Sequence, residues 1–265
     1  MVLNSSALVF VCLGAWFAHL DHSWEYPGKP GMSCNVVSAD DTANFLTFLK
    51  YFRSMEGADD LIISAAVSII PFIGADGLPL KSVLEFASVL DDIGSPYRFI
   101  RFPHGSLIPC SEIMAYDMGG RWSSSVSPNA PLDDSCAPTP QGSVISAVKA
   151  WTAAGFPPHK IFVGVAAYGH SFFVYQANAY NKATGKIQPY VPFDKSKQPK
   201  GDKWDSTADG VDQCGNPNAV GGVFDFWGLI DAGFLNQEGM ANPGIDYTFD
   251  SCSQTVRDLP TPTNC

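Results

Sequence analysis

Positive charge is scarce in this sequence of 265 residues. Lysine and arginine together number 16, against 26 aspartates and glutamates, and the formal net charge is −10. The sequence has no basic run or stripe, which excludes the electrostatic footprint of a nucleic-acid-binding protein. The acidic balance suits a soluble protein without indicating a particular substrate.

Signatures of metal and nucleotide sites are also missing. The seven cysteines include no Cys-x-x-Cys pair, and His19 and His22 have no third ligand nearby. No glycine-rich phosphate loop follows a predicted strand, which argues against a nucleotide site. We therefore expect no metal and no other cofactor. Cysteines scattered in this way favour disulfide bonds and an oxidising compartment.

Long apolar runs are absent, so we expect no integral membrane segment. The apolar run at residues 7–18 is too short to span a bilayer. Its length suits the core of a signal peptide, yet no lysine or arginine precedes it and no cleavage site is clear. A buried barrel strand or helix end is the alternative, and both interpretations stay open for this apolar leader, residues 1–19.

Predicted strands and helices alternate over much of the chain. Short apolar strands are predicted at residues 61–68, 111–117 and 160–168. Helices are predicted from a start signal at residues 38–41, at 81–92 and at 141–155. Their apolar faces are Phe45, Leu46, Leu49 and Phe52, then Val83, Leu84, Ala87 and Leu90, then Val144, Ile145, Val148 and Trp151. This alternation is typical of βα units around a parallel sheet.

Polar or aromatic residues stand where successive strands end. These residues are Glu25, the Tyr116-Asp117 pair and Tyr168. The carboxyl ends of strands are where a (β/α)₈ barrel builds its active site. A doubly wound sheet would also suit the alternation, but the missing glycine-rich loop argues against it. Between about residues 172 and 250 the alternation stops, and this stretch is predicted to be a small mixed insertion.

Strand geometry groups the candidate residues further. Asp21, Ser23 and Glu25 share one face because strand side chains alternate, and Met114 shares a face with Tyr116. If the two strands are neighbours, a carboxylic acid and a phenol meet in one cleft, where the acid can donate a proton. Anchoring of a loop is the plainer explanation for Glu25.

Several motifs resemble those of glycoside hydrolase family 18. Residues 18–28 resemble its strand motif Asp-Gly-x-Asp-x-Asp-Trp-Glu-Tyr-Pro-Gly, and residues 114–117 resemble its Met-x-Tyr-Asp strand. Residues 161–172 are similar to a later strand ending in Tyr-Gly-x-Ser-Phe. Residues 129–132, 225–227 and 249–255 look like those of its fungal members. The resemblance covers most of residues 20–256, in the family's order.

The resemblance implies a chitinase, a secreted glycoside hydrolase that cleaves the β-1,4-linked N-acetylglucosamine polymer chitin. The implied fold is α/β, an incomplete (β/α)₈ TIM barrel over residues 20–256 with a small mixed α+β insertion at about 172–250 and a tail at 257–265. The implied substrates are chitin and chito-oligosaccharides. In the family, the acetamido group of the sugar replaces the enzyme nucleophile, and configuration is retained.

The resemblance also implies a role for each matching residue. Glu25 would be the general acid and then the base, and Tyr116 would hydrogen-bond the acetamido oxygen. Asp117 and Met114 would shape the floor, and Tyr168 would line the cleft. Trp122 and Trp227 are candidate stacking surfaces, with plain core packing as the alternative for each.

The chain also departs from the family pattern. The three aspartates of the strand motif fall on Ala18, Asp21 and Ser23, so only the middle one, Asp21, is kept. Compared with the family, the chain starts at the fourth barrel strand and ends before the last. Residues 94–110 interrupt a connection that the family makes in very few residues.

The positions of the cysteines correlate with these departures from the family pattern. Four lie in family-like sequence, and Cys12, Cys110 and Cys265 lie in the leader, the interruption and the tail. We interpret these three segments as foreign, from an untrimmed intron or a misplaced gene start, with a divergent protein as the alternative.

Three functions are compatible with the sequence. The first is an endo-acting chitinase or a damaged copy of one with impaired activity, which Glu25 favours. The second is a non-catalytic chitin-binding protein, which Ser23 favours because it stands where the family has an aspartate. The third is a non-functional chitinase fragment, because an open half-barrel exposes strand edges.

Overall fold

A computed structural model describes residues 8–14, 17–31, 34–58, 62–93, 113–205, 208–212 and 214–260. For residues 8–23, 92–93 and 259–260 it describes the backbone alone. The chain divides into two compact units. The first unit is Met1–Ala115 with Val144–Gly164, and the second is Tyr116–Ser143 with Val165–Cys265. The interruption predicted at residues 94–110 lies outside the described residues.

The first unit contains a mainly parallel sheet. Its strands are β1 (Leu8–Gly14), β2 (Phe17–Ser23), β3 (Ile62–Ala65) and β4 (Asp92–Ile93). β1 pairs antiparallel with β2, and β2, β3 and β4 pair in parallel in that order. Isolated parallel bridges join Val67 to Ile113 and Ile113 to Val163. The parallel arrangement of the three predicted strand segments is therefore confirmed. Within the apolar leader, residues 8–14 form the strand β1, and the nature of the leader stays a prediction.

Helices α1 (Asp41–Arg53), α2 (Leu84–Val89) and α3 (Val144–Ala153) belong to the same unit. α1 follows its start signal and buries Phe45 and Leu49, as predicted. α2 is shorter than predicted, because residues 92–93 pair with β3 instead of continuing the helix. Two predicted core residues are exposed, which corrects the sequence analysis: Leu84 in α2 and Ile145 in α3.

The reason for these corrections is the rotation of each helix about its axis. In α3 the buried residues are Ala147 and Trp151, which lie four positions apart and therefore on one face. Ile145 is two positions before Ala147, which turns it about 200° away. In α2 the core is reached by Phe86, which the predicted face did not include.

Aromatic packing forms the centre of the first unit. The Phe72 ring lies 4.4 Å from that of Phe86 and 5.2 Å from that of Trp151, the latter edge-on. Edge-to-face and tilted contacts of this kind are favoured by the aromatic quadrupole. The indole Nε1 of Trp151 donates to the Ser68 carbonyl at 2.9 Å. α3 is thereby tied to the segment that follows β3.

The second unit has little regular structure. Its elements are β5 (Tyr168–His170), α4 (Gln176–Ala179), β6 (Val223–Asp225), α5 (Phe226–Asp231), β7 (Ile245–Asp250) and β8 (Thr255–Pro260). β5 pairs antiparallel with β6, and β7 with β8. The strand predicted at residues 160–168 is therefore not continuous: Val163 makes an isolated parallel bridge to Ile113, whereas Tyr168 belongs to β5 and pairs with β6. Single 3₁₀ turns occur at Pro158–Lys160 in the first unit and Lys195–Lys197 in the second. The predicted insertion at about 172–250 lies in the second unit, and its status as an insertion stays a prediction.

The disulfide bonds agree with the cysteine pattern. Cys136 and Cys252 are bonded, with their Cα atoms 6.5 Å apart. Cys34 and Cys214 are also disulfide-bonded. These four are the cysteines in family-like sequence, which confirms the prediction of disulfides. Within the described ranges, no helix has both the length and the apolar character needed to cross a membrane.

Candidate active site

Glu25 lies in a tight loop just after β2, in the first unit. Its side chain is exposed, whereas the preceding Trp24 turns inward and packs edge-on against Phe45 at 5.9 Å. Pro27 is fully buried. Gly28 adopts a φ of +73°, and a Cβ there would lie 2.8 Å from the Ile73 carbonyl oxygen. The Trp-Glu-Tyr-Pro-Gly motif thus inserts Trp24 and Pro27 as anchors and presents the glutamate to solvent.

Asp21 and Ser23 belong to β2, where only the backbone is described. Met114 is half-buried, and its N–H donates to the Val67 carbonyl at 2.9 Å. Val67 lies two residues beyond β3, and β3 is the parallel neighbour of β2. Met114 therefore stands beside the segment that follows β3, at the carboxyl end of the parallel strands, where barrel enzymes carry their sites.

In the second unit, Asp117 accepts two hydrogen bonds on the same oxygen. The Tyr168 hydroxyl donates to Oδ1 at 2.8 Å, and Nε2 of His170 lies 3.0 Å from that atom. Tyr168 and His170 are two residues apart on β5 and so share a face. The ring of Tyr116 stands edge-on to that of Tyr168 at 6.1 Å. The structure thus brings together three of the predicted site residues and adds His170.

Asn129 links the two segments that carry this cluster. Its Nδ2 donates to the Tyr168 carbonyl at 3.0 Å, and its Oδ1 accepts the Asp117 N–H at 3.1 Å. Its own carbonyl accepts the N–H of Met118 at 2.9 Å. One amide side chain therefore fixes the loop after residue 116 against β5.

The hydrogen bonds set the protonation states of the pair. The hydrogen bond from His170, assisted by that from Tyr168, holds the pKa of the Asp117 carboxyl below its usual value, although partial burial opposes this. Burial first, and the adjacent Asp117 second, raise the pKa of the Tyr168 hydroxyl far above its usual range. Near neutral pH, Asp117 is therefore ionised and Tyr168 is a hydrogen-bond donor.

The two candidate stacking tryptophans are both exposed. Trp122 is 57% and Trp227 66% exposed, so core packing is not the explanation for either. Trp227 is the second residue of α5, and the N–H of the preceding Phe226 donates to the Ala167 carbonyl just before β5 at 3.0 Å.

A cavity of about 200 Å³ adjoins Trp122 in the second unit. Its walls include the aromatic rings of Trp122 and Tyr190, the Asp134 carboxyl and several serine residues. An apolar ring surrounded by hydroxyl and carboxyl groups suits a ligand with one apolar face and many hydroxyls, such as a sugar.

The eight predicted site residues divide between the units. Those in the first unit are Asp21, Glu25 and Met114, and those in the second are Tyr116, Asp117, Trp122, Tyr168 and Trp227. The proximity expected between Glu25 and Tyr116 stays a prediction. Sequence reasoning missed His170 because the strand was predicted to end at residue 168; with β5 extending to residue 170, His170 shares a face with Tyr168.

Comparison with known proteins shows similarity to one family. Residues 104–226 match the model of the glycosyl hydrolases family 18. A chitinase-like effector of Moniliophthora roreri is 45% identical over 239 residues, which cover 89% of this chain and 53% of the relative. A chitinase-like effector of Moniliophthora perniciosa is 44% identical, over 89% of this chain and 50% of the relative. The chain thus spans about half the length of these curated relatives.

A solved structure resembles this chain as well. The crystal structure of a chitinase from Rhizomucor miehei aligns with a TM-score of 0.70 and 30% identity, covering 90% of this chain and 58% of that one. The fold is accordingly of the (β/α)₈ barrel type. The family model, the relatives and this structure agree with the motifs, and together they support a chitinase-like protein similar to the glycosyl hydrolases of family 18.

Proposed function

We propose that this chain cleaves chitin or chito-oligosaccharides by the substrate-assisted retaining mechanism of glycosyl hydrolase family 18, at a reduced rate. The observation that carries the proposal is the exposed Glu25, presented at the carboxyl end of a parallel strand between a partly buried tryptophan and a buried proline. This is the position at which barrel enzymes carry catalytic groups. The names of the two fungal relatives, chitinase-like effectors, are compatible with full, reduced or absent activity.

In the proposed reaction Glu25 donates a proton to the glycosidic oxygen as that bond breaks. The acetamido oxygen of the substrate attacks the anomeric carbon, and Glu25 then takes a proton from the water that opens the ring intermediate. Tyr116 would hold the acetamido oxygen, with Met114, Asp117 and Tyr168 around it. Trp122 and Trp227 would stack on sugar rings through the faces that they expose.

Ser23 is the reason for the reduced rate. An aspartate two residues before Glu25 on the same strand face would influence the acid through its charge and hold the acetamido N–H in attacking geometry. Serine carries no charge and is shorter. General acid–base catalysis contributes about 10²–10⁴ in rate, and positioning contributes further. Asp21 lies two residues before Ser23, so the alternation of strand side chains predicts that the two share a face. Asp21 is the other acidic group proposed for the site.

A second candidate function is chitin binding without catalysis. Ser23 favours it, because the family motif has an aspartate at this position that assists the general acid. Its absence leaves the exposed stacking surfaces of Trp122 and Trp227 in place. We further propose that the barrel is incomplete, with residues 172–250 as its insertion. Disulfide bonds at four cysteines support a secreted protein, because such bonds persist in oxidising compartments.

The decisive experiment is the substitution Ser23→Asp in the full chain. We expect turnover of a chito-oligosaccharide to rise at least about tenfold, a cautious fraction of the catalytic term. Glu25→Gln, added to Ser23→Asp, should abolish the turnover. Binding of the oligosaccharide, measured by calorimetry, should change less than turnover. Ser88→Asp, at an exposed serine of α2, controls for the added charge.

Each outcome separates the candidates. Equal turnover before and after Ser23→Asp would remove the role assigned to this position. Binding without hydrolysis in both Ser23→Asp and the unaltered chain would support the chitin-binding protein. If neither the unaltered chain nor Ser23→Asp binds the oligosaccharide, hydrolysis and chitin binding are both excluded.

A further inference from the structure

His170 is buried between two of the proposed substrate-binding residues. Its side chain is only 7% exposed, although its partner Asp117 is 47% exposed. Nε2 lies 3.0 Å from Asp117 Oδ1, while the ring stands edge-on to the Trp122 indole, with centroids 5.3 Å apart. A second aromatic neighbour is Tyr168, whose ring lies 5.9 Å away. All these contacts belong to the second unit.

The ionised Asp117 carboxylate determines which group donates the hydrogen bond between Asp117 and His170. An ionised carboxylate can only accept, so Nε2 carries the hydrogen and donates it. The other ring nitrogen, Nδ1, is buried and has no hydrogen-bond partner among the described residues. The imidazole therefore has one polar contact in the described part of the chain, and that contact is with Asp117.

The two carboxylate oxygens of Asp117 differ in their hydrogen bonds. Oδ1 accepts from both Tyr168 and His170, and its backbone N–H is held by Asn129. Oδ2 accepts no hydrogen bond from the described residues, and the side chain is about half exposed. A half-exposed carboxylate with one oxygen fixed by two donors, and with no donor to the other among the described residues, can accept a ligand N–H or O–H.

We propose that His170 is a positioning residue of the sugar site. Through Nε2 it orients the Asp117 carboxylate, and through its ring it orients the Trp122 indole. One side chain thus sets the spacing between an acceptor for an amide or hydroxyl group and a stacking surface for the apolar face of an N-acetylated sugar. The sugar part of this inference rests on the proposed function, whereas the orientation of Asp117 does not.

Two substitutions separate the contacts of His170. His170→Phe keeps an aromatic ring against Trp122 and removes the donor. His170→Gln keeps an amide N–H near the position of Nε2 and removes the ring. His159→Phe, at an exposed histidine of the first unit, is the matched control. The readouts on the full chain are the pKa of Asp117 from carboxyl ¹³C NMR, the near-ultraviolet circular dichroism of Trp122, and the Kd of tetra-N-acetylchitotetraose from calorimetry. Trp122→Phe assigns the dichroism signal.

We expect His170→Phe to raise the pKa of Asp117, because it removes the largest cause of the lowered value. The same variant should weaken the oligosaccharide about tenfold, as loss of one charge-assisted hydrogen bond implies. His170→Gln should keep the pKa of Asp117 near that of the unaltered chain and should change the Trp122 signal. In an Asp117→Asn background, His170→Phe should weaken binding by much less than tenfold, because the contact is already altered.

Other results would overturn the proposal. It fails if His170→Phe leaves both the pKa of Asp117 and the Kd unchanged, or if His159→Phe has the same effects. If the unaltered chain binds no chito-oligosaccharide, the proposed function and the sugar role fail together. The NMR titration and the dichroism, both recorded without ligand, then still decide whether His170 orients Asp117 and Trp122. If His170→Phe does not fold, His170→Gln supplies the test, and a raised pKa of Asp117 together with an unchanged Trp122 signal would contradict the proposal.

Discussion

Asp117 combines three features at one position. Its φ of +57° lies in the left-handed region, which residues other than glycine rarely adopt. The Asn129 amide holds its backbone, and Tyr168 and His170 hold its side chain. An unfavourable backbone conformation persists where the surroundings over-determine it, and such positions cluster at functional sites. The geometry around Asp117 therefore supports its place in the proposed site.

The lowered pKa of Asp117 predicts a dependence of stability on pH. Because its pKa is lower in the folded than in the unfolded state, the ionised carboxylate stabilises the fold above the ordinary aspartate pKa. This contribution disappears as the pH falls through the folded-state value. We expect the free energy of unfolding in urea to fall more for the unaltered chain than for Asp117→Asn between about pH 6 and pH 3.

The control for this measurement is Asp209→Asn, at an exposed carboxylate of the same unit. It makes the same change in net charge away from the cluster. If the unaltered chain and Asp117→Asn lost stability in parallel as the pH fell, Asp117 would not contribute in this way.

The pairing offset between neighbouring segments of the parallel sheet changes along the chain. Ser64 pairs with Asp92 and Ala65 with Ile93, an offset of 28 residues. Val67 pairs in the same parallel sense with Ile113, an offset of 46. The second offset is longer by 18 residues. Ile113 thus occupies the place that residue 95 would take in an uninterrupted strand.

Deletion of residues 94–111 should therefore preserve the sheet. It removes those 18 residues, joins Ile93 to Glu112 and leaves Ile113 opposite Val67. We expect the free energy of unfolding to rise by roughly 1–3 kcal/mol, because bringing the paired segments together costs less chain entropy when fewer residues separate them. Urea unfolding and solubility are the measurements.

A deletion that is one residue shorter shifts the strand register and serves as the matched control. Deletion of residues 94–110 leaves one extra residue and turns Ile113 and Ala115, both fully buried, to the opposite face of the sheet. This shorter deletion should be clearly less stable than the longer one. If the longer deletion unfolds the protein instead, the interpretation of residues 94–110 as a foreign segment is wrong.

At the scale of the whole molecule, the second unit depends on covalent linkage. Its strands and helices are short, and the Cys136–Cys252 bond closes a separation of 116 residues. The two segments that carry these cysteines are also joined by the Leu132 N–H, which donates to the Ser253 carbonyl at 2.9 Å. Closing so long a loop restricts the unfolded chain, which the entropy model values at about 4–5 kcal/mol.

Replacement of both cysteines by serine should therefore destabilise the protein. We expect Cys136→Ser with Cys252→Ser to lower the free energy of unfolding by about 2–5 kcal/mol, measured in urea without reductant. Ser251→Ala, at an exposed neighbour of Cys252, is the control and should change little. An unchanged stability of the double variant would mean that the bond does not restrain this unit.

The sequence by itself determined the features that depend on local periodicity and on motif residues. The buried face of α1, the parallel order of the strand segments, the loop that presents Glu25 and the four bonded cysteines all follow from neighbouring residues or from the family motifs. Tertiary structure decided what depends on distant contacts. Asp117 meets His170 across 53 residues, α2 ends where residues 92–93 join β3, and Trp122 stays exposed. The physical reason is that periodicity defines the face of one element, whereas only packing decides which distant side chain lies against that face.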